Sequence, residues 1–236
     1  MSNHAYGGIT MMIKFIVQTL STFLIGIFLL GLLLFLPAWS FNYWQAWVFI
    51  IVFMFCVSTI GLYLAFKDSA LLERRKKVGP INEQSLGQKI AISIGFLALI
   101  SVFIFSAISH RFSWSPVPIV VSLAGDILVA IGLLINLIVF KENTYGSATV
   151  ETTADQKVIS TGPYALIRHP MYTGVLVMLI GIPLALDAWW SFAIIAIALP
   201  GLIWRIFDEE KLLKQDLPGY LNYTKKVKYR LIPYIW

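Results

Sequence analysis

Long apolar runs separated by short polar segments are the dominant pattern of this chain. Six such runs can be read, at residues 13–36, 44–66, 90–109, 117–140, 172–186 and 188–204. The first four hold about 20 to 24 residues, the length that a helix needs to cross a bilayer. The pattern predicts an all-α fold, a polytopic membrane helix bundle of about six transmembrane helices.

The composition excludes a water-soluble domain. Hydrophobic residues make up 58% of the chain and charged residues only 13%, against about 25% in soluble domains. The mean hydropathy is +0.80. Cys56 is the single cysteine, so no disulfide and no thiolate metal site can form within the chain. We therefore expect no metal.

The basic residues give an orientation. The chain carries 18 Lys and Arg, and Arg111 is the only one on its side of the predicted bundle. Because cytoplasmic loops are enriched in Lys and Arg, both termini are predicted to be cytoplasmic. This topology accounts for the net charge of +6 without a nucleic-acid partner. We expect a multi-pass integral membrane protein, of a prokaryotic cytoplasmic membrane rather than the endoplasmic reticulum.

The segment Ser160 to Tyr172 is the densest run of special residues, with the sequence STGPYALIRHPMY. Proline is favoured in the first turn of a helix, so the fifth apolar helix is predicted to begin near Pro170. The last two runs are short, at about 15 and 17 residues, and Asp187 between them is predicted to cap a tight hairpin. That hairpin would carry the charged cluster Arg205 to Glu210 back to Pro170.

Spacing within this second cluster predicts how its side chains divide. Arg205 and Glu209 are four apart on one helix face and can pair. Glu210 is offset from Glu209 by about 100 degrees, so one glutamate can face the site while the other points elsewhere. Helix N-terminal N–H groups, glutamates and aromatic rings together suit a zwitterionic, nucleoside-containing cofactor. A lateral opening to lipid would admit a hydrophobic acceptor.

Polar residues elsewhere add further candidates. Asp126 and Asn136 lie inside the fourth apolar run, where ionisable and polar groups are costly. Asp126 is compatible with either a hydrogen bond inside the bundle or a functional role. Asn136 is expected to line a cavity and to contribute to substrate binding. The basic segment SALLERRKKVG predicts a short amphipathic helix, with a solvated face or with attraction to lipid headgroups as the alternatives.

Three segments carry a resemblance to a known family. GPYALIRHPMYTG, WRIFDEEKLL and GYLNYTKKVKYRLIPYIW are similar, in order and spacing, to the C-terminal core of the isoprenylcysteine carboxyl methyltransferase family. The wider group includes phospholipid N-methyltransferases. The resemblance covers residues 142–236 and implies an enzyme that uses S-adenosylmethionine (SAM) to methylate a lipid-tailed substrate.

The resemblance also implies roles for individual residues. It implies that Arg205 lies beside the acceptor, as the candidate catalytic and substrate-binding residue, and that Arg230 belongs to an ordered tail. Glu210 is expected in a supporting position within the cofactor site. The residues that the resemblance assigns to the cofactor pocket are Gln156, Lys157, Val158, Ile159, Tyr164, His169, Pro170, Met171, Tyr172 and Glu209.

The expected organisation is a single integrated domain. Residues 1–88 would supply N-terminal transmembrane helices and a basic cytoplasmic loop, and residues 89–236 a methyltransferase-like membrane core with a C-terminal tail. The expected partners are membrane lipids and a lipid, prenylated or other hydrophobic small-molecule acceptor, methylated on a carboxylate, amine or thiol. The alternatives are a membrane NADPH-dependent sterol or enone reductase of related architecture, and a non-enzymatic membrane protein or transporter.

Overall fold

The structure, a computed structural model, describes residues 2–114, 116–150, 152 and 156–236, with side chains described from residue 20 onwards. Within these residues the regular elements are α-helices and two short 3-10 turns, and none is a strand. The helices are α1 (Ser2–Ala38), α2 (Trp44–Lys67), α3 (Ser69–Lys76), α4 (Leu86–Phe112), α5 (Ile119–Glu142), α6 (Pro170–Ala185), α7 (Ser191–Asp216) and α8 (Tyr220–Lys226).

The predicted all-α membrane bundle is confirmed. Five of the described helices are long and apolar enough to cross a membrane, namely Leu20–Ala38 within α1, and α2, α4, α5 and α7. The remaining predicted span, the fifth along the chain, is α6, an apolar helix of 16 residues. At 1.5 Å per residue α6 is about 24 Å long, shorter than the ~30 Å hydrocarbon core. The chain is therefore a multi-pass membrane protein. The side chains of residues 13–19 in the first predicted span lie outside the described residues. The same holds for residues 151 and 153–155 of the long polar loop that connects α5 to α6.

The two ends of the bundle differ in what they hold. We call the end at which α2, α5 and α7 finish and α4 and α6 begin the site end, and the other the opposite end. In the opposite half, side chains from six helices form one core, represented by Leu34, Phe49, Val102, Val129 and Ile182. All five are essentially inaccessible to solvent. The opposite half of the bundle thus holds the main hydrophobic core.

Helices α5 and α6 approach each other closely through glycines. A Cβ added at Gly132 would lie 2.5 Å from the carbonyl oxygen of Gly174, and one at Gly181 would lie 2.6 Å from that of Gly125. Real Cβ atoms do not come this near to backbone, so only glycine fits at these crossings. Small residues at helix contacts are a common device for tight packing in membranes. The contact fixes the position of α6, and with it the start of that helix at the site end.

At the opposite end, Asp187 and its neighbour Leu186 contact residues from other parts of the chain. The backbone N–H of Val117 donates to one of its carboxylate oxygens, and His110 Nδ1 lies 3.4 Å from the other. Tyr43 is fully buried and donates to the carbonyl of Leu186 at 2.6 Å. Asp187 therefore anchors the α4–α5 connection rather than capping the α6–α7 hairpin as predicted.

The glycine contact predicts a sharp difference between two alanine substitutions. Gly132→Ala should destabilise the protein by about 1–3 kcal/mol or more, since the methyl group would overlap backbone atoms of α6. Gly95→Ala is the matched control, because a Cβ at Gly95 meets no atom within 4 Å. The measurement is the temperature at which detergent-solubilised protein loses its monodisperse gel-filtration peak. Equal temperatures for both variants would contradict the close approach.

Candidate functional site

The start of α6 is held by the C-terminal tail. Helix α6 begins at Pro170, as predicted, and the two residues before it are paired with the tail. The N–H of Arg168 donates to the carbonyl of Tyr229, and the N–H of His169 donates to that of Arg230, both at 2.9 Å. Residues 168–169 therefore have a fixed backbone conformation, and their N–H groups are not available to a ligand.

Behind this turn, the carboxylate of Glu210 is surrounded by basic side chains. Its side chain is 1% exposed. Arg168 Nη1 lies 2.9 Å from Glu210 Oε1, and Arg230 donates to both carboxylate oxygens at 3.1 and 3.2 Å. His169 Nε2 lies 3.3 Å from Oε1. One buried carboxylate thus connects α7, the turn before α6 and the tail.

Glu209 faces the other way and enters a chain of polar contacts. The Tyr172 hydroxyl donates to Glu209 Oε2 at 2.6 Å and accepts from Arg205 Nε at 3.1 Å. Arg205 Nη1 in turn lies 2.7 Å from Oε1 of the buried Glu83. Arg205 and Glu209 are therefore bridged through Tyr172 instead of pairing directly as predicted. The predicted division of the two glutamates is confirmed, since Glu209 faces a cavity and Glu210 does not.

A polar cavity lies in front of this chain of contacts. Its enclosed part is about 100 Å³, and it opens to solvent. Nine of the residues predicted for a cofactor pocket line it, namely Gln156, Lys157, Val158, Ile159, Tyr164, His169, Met171, Tyr172 and Glu209. The other two, Pro170 and Glu210, are buried behind its wall. The polar cavity therefore brings together residues from the loop that connects α5 to α6, from the start of α6 and from α7.

Helix α8 supplies part of the wall that sequence reasoning missed. Tyr220 and Tyr223 line the polar cavity, and the Tyr223 hydroxyl donates to the carbonyl of Tyr164 at 2.7 Å. Both lie in the segment GYLNYTKKVKYRLIPYIW, and their spacing of three residues follows Gly219, which has φ +89°. Burial raises the pKa of Tyr164 to about 12, although Asn143 donates a hydrogen bond to its hydroxyl. Tyr164 is therefore a neutral hydrogen-bonding group.

A second, apolar cavity of about 560 Å³ lies between α2, α3, α4, α5, α6 and α7. The residues predicted to bind substrate, Asn136 and Arg205, both line it. Met171 and Tyr172 line both cavities. The first turn of α6 is therefore the place where a solvent-open polar space and a lipid-like space meet.

The predicted short basic helix is present as α3, and it serves this junction. Asp68 accepts a hydrogen bond from the N–H of Leu71 at 2.9 Å and so caps its first turn. Arg75 Nη1 reaches the carbonyl of Ser147 at 3.1 Å and the sulfur of Met171 at 3.2 Å. Arg75 thus points into the site, whereas both interpretations of the sequence placed the basic face at solvent or lipid headgroups.

Two further polar residues escaped the sequence analysis because they lie far from the motif. Glu83 follows the 3-10 turn Pro80–Asn82, and Gln88 lies in the first turn of α4. Gln88 Oε1 accepts from Arg205 at 2.8 Å, and its amide nitrogen donates to Asp208 at 2.7 Å. Nothing in the local sequence around Glu83 or Gln88 marks them as partners of a residue more than a hundred positions away.

Asp126 lies outside both cavities. Its side chain is 4% exposed, and neither carboxyl oxygen has a hydrogen-bond partner among the described residues. Of the two alternatives for Asp126, the hydrogen bond inside the bundle is not formed within the part of the chain that the structure describes. Asp126 is not part of the site built around Met171 and Tyr172.

Comparison with known proteins adds two similarities. Residues 120–217 match the family model described as phospholipid methyltransferase. That segment runs from the start of α5 through α7 and is about two fifths of the chain. A Delta(14)-sterol reductase of Mus musculus is 28% identical over 94 residues, which are 39% of this chain and 22% of that protein. The chain thus covers about a fifth of this relative's length.

The buried carboxylate behind the α6 turn generates a prediction. Glu210→Gln should lower the free energy of unfolding by about 3–5 kcal/mol, because Arg168 and Arg230 would lose the charge that compensates them. The tail should then be cleaved faster by trypsin at Lys228, which is exposed. The measurement is the rate of tail cleavage in detergent, followed by mass spectrometry.

Glu73→Gln is the control for this experiment. Glu73 also pairs with a basic residue, Lys76, at 2.6 Å, but both side chains are exposed. Exposed pairs contribute little to stability, so its cleavage rate should match that of the wild type. A Glu210→Gln variant with wild-type cleavage would show that the tail does not depend on this carboxylate.

Proposed function

We propose that this protein is an integral-membrane methyltransferase that uses SAM to methylate a lipid-tailed acceptor. The observation that carries the proposal is the meeting of a polar and an apolar cavity at Met171 and Tyr172. A methyl transfer between a soluble cofactor and a membrane lipid needs such a junction, because the two reactants prefer different solvents. The resemblance to isoprenylcysteine carboxyl methyltransferases and the phospholipid methyltransferase match support the same class.

The polar cavity has the chemistry that SAM requires. Glu209 offers a carboxylate to the ammonium group or the ribose hydroxyls, and the rings of Tyr164 and Tyr220 offer faces to the adenine or the sulfonium. The enclosed volume of about 100 Å³ is below the roughly 300–1,000 Å³ of typical ligand pockets. The nucleoside would therefore extend into the solvent-open mouth or shift the polar loop outward.

The residues at the junction would act by positioning. When bound, SAM supplies an electrophilic methyl group to an acceptor nucleophile. Tyr172, held between Glu209 and Arg205, has a fixed hydroxyl on the boundary between the two reactants. Holding two reactants in line removes much of the entropic barrier to their reaction. An ionised carboxylate or thiolate acceptor needs no proton removed, whereas an amine acceptor would, so oxygen, nitrogen and sulfur acceptors stay open.

The second candidate is a membrane NADPH-dependent reductase, which the similarity to a sterol reductase favours. A dinucleotide phosphate would need several cations in the polar cavity. The basic residues lining its described part are Lys157 and Arg168, and Arg168 is already paired with Glu210. The carboxylate of Glu209 would repel a phosphate and attract a sulfonium or ammonium group. The charges that line the polar cavity therefore favour SAM over NADPH.

Topology follows from the same proposal. The site end holds the polar cavity, and SAM is a water-soluble metabolite, so the site end would face the cytoplasm with both termini. The charge distribution along the sequence supports this orientation. A prokaryotic cytoplasmic membrane is the proposed location.

Binding of SAM and NADPH to the purified protein tests the function. Wild-type protein in detergent should bind SAM and its demethylated product, S-adenosylhomocysteine, and should not bind NADPH. Glu209→Gln should weaken SAM binding about tenfold or more, because a hydrogen bond to a charged group contributes roughly 1.5–3 kcal/mol. Glu73→Gln, an exposed glutamate outside both cavities, should bind SAM like the wild type. Tight NADPH binding without SAM binding would overturn the proposal in favour of a reductase.

A further inference from the structure

The apolar cavity has a polar patch at one end only. Its walls extend along α2 from Phe53 to Leu64 and along α4 from Ala91 to Val102, which at 1.5 Å per residue is about 16 Å. Gly61 and Gly95 line it, and a Cβ at either would meet no atom within 4 Å. Its described lining is apolar except for Arg75, Asn136, Tyr172 and Arg205. The cavity therefore fits a hydrocarbon tail with a polar head at the junction.

Four of the five N–H donors of Arg205 already bind protein groups. Its Nη1 contacts both Glu83 and Gln88, its Nη2 donates to the carbonyl of Ala148 at 3.1 Å, and its Nε donates to Tyr172. Glu83 compensates the charge at 2.7 Å. A ligand anion at Arg205 would compete with a buried carboxylate for the same positive charge. Protein groups thus occupy most of the donors that the resemblance assigns to the acceptor at Arg205.

Arg75 differs from Arg205 because its contacts are all with neutral groups. Its guanidinium stacks 4.6 Å above the ring of Phe140 and donates to the Ser147 carbonyl and the Met171 sulfur. None of the ion pairs among the described residues includes Arg75. Burial lowers the pKa of Arg75, the nearby Tyr172 and Tyr164 act in the opposite direction, and the Arg205 cation lowers it further. A partly desolvated cation without a carboxylate partner is costly, so this position suits an incoming anion.

Asn136 gives an independent indication of a ligand. Its side chain is 6% exposed, it lines the same cavity, and its Oδ1 has no hydrogen-bond partner among the described residues. Buried amide oxygens are almost always hydrogen-bonded in native proteins. A donor on the head of a bound molecule would satisfy this oxygen.

We infer that Arg75 and Asn136 form the head-group subsite of the acceptor, and that the acceptor is a long-chain lipid with an acidic group. The acid would pair with Arg75, a neighbouring donor would reach Asn136, and the tail would fill the space between α2 and α4. This inference rests on the proposed function for the identity of the reaction, but the subsite itself is defined by charge and cavity shape. A carboxylate and a phosphate have the same relevant chemistry, and the experiment distinguishes them.

Direct lipid binding tests the subsite. Purified protein in detergent is titrated with hexadecanoate, hexadecyl phosphate and hexadecanol at mildly alkaline pH, where the acids are ionised. Wild-type protein should bind one of the two acids at least about tenfold more tightly than the alcohol, as expected for a charge-assisted contact away from water. The acid that binds more tightly identifies the head group. Equal binding of acids and alcohol, or no lipid binding, would overturn the inference.

Variants assign the preference to Arg75. Arg75→Gln should bind the acids no more tightly than the alcohol while still binding the alcohol, which shows that the cavity is intact. Arg75→Lys should keep part of the preference. Lys77→Gln removes an exposed positive charge one residue beyond α3 and should behave like the wild type. A preference that survives in Arg75→Gln would overturn the assignment.

SAM binding measured on the same samples separates the two proposals. Acid preference lost in Arg75→Gln without any SAM binding by the wild type would refute the methyltransferase and leave the lipid subsite in place. SAM binding by the wild type without acid preference would refute the subsite and leave the methyltransferase in place.

Discussion

A carboxylate that is removed from water must be surrounded by cations and hydrogen-bond donors, and Glu210 meets this requirement from three parts of the chain. Arg168 comes from the turn before α6, Arg230 from the tail, and Glu210 itself from α7. Breaking one of these contacts would leave an uncompensated charge in the interior, so the three segments hold each other in place. The positions of His169, Tyr172 and Glu209, which depend on those segments, follow from this one constraint.

The site also joins a polar cavity that is open to water and an apolar cavity that suits a hydrocarbon chain. The polar cavity is lined by loop residues, tyrosines and Glu209, and the apolar cavity by mostly apolar side chains of six helices. Tyr172 can belong to both because its ring is apolar and its hydroxyl is polar. A reaction at that boundary would exclude water from the acceptor while leaving the cofactor side accessible. The fold thus provides the separation that chemistry between a metabolite and a lipid requires.

Local signals in the sequence predicted the helices and one wall of the site. Apolar run length located the spans, and Pro170 located the start of α6, because both features depend on residues that are adjacent in the chain. Glu83, Gln88 and Arg75 could not be predicted, since their roles depend on how α3 and α4 pack against α7. A basic run such as that in α3 has the composition of a solvated face, and only tertiary contact turns one of its arginines inward. The contact between Arg205 and Glu209 was misjudged for a related reason, since Tyr172 from another helix comes between them.

The glycine contact between α5 and α6 has a mechanical consequence. Backbones that touch over Gly125, Gly132, Gly174 and Gly181 leave no side-chain layer that could compress or slide. The two helices therefore behave as one rigid unit, and they cannot slide past each other. Any widening of the apolar cavity to let a bulky lipid enter would have to come from its other helices, α2, α3, α4 and α7. Among these, α2 and α4 carry Gly61 and Gly95, which border free space.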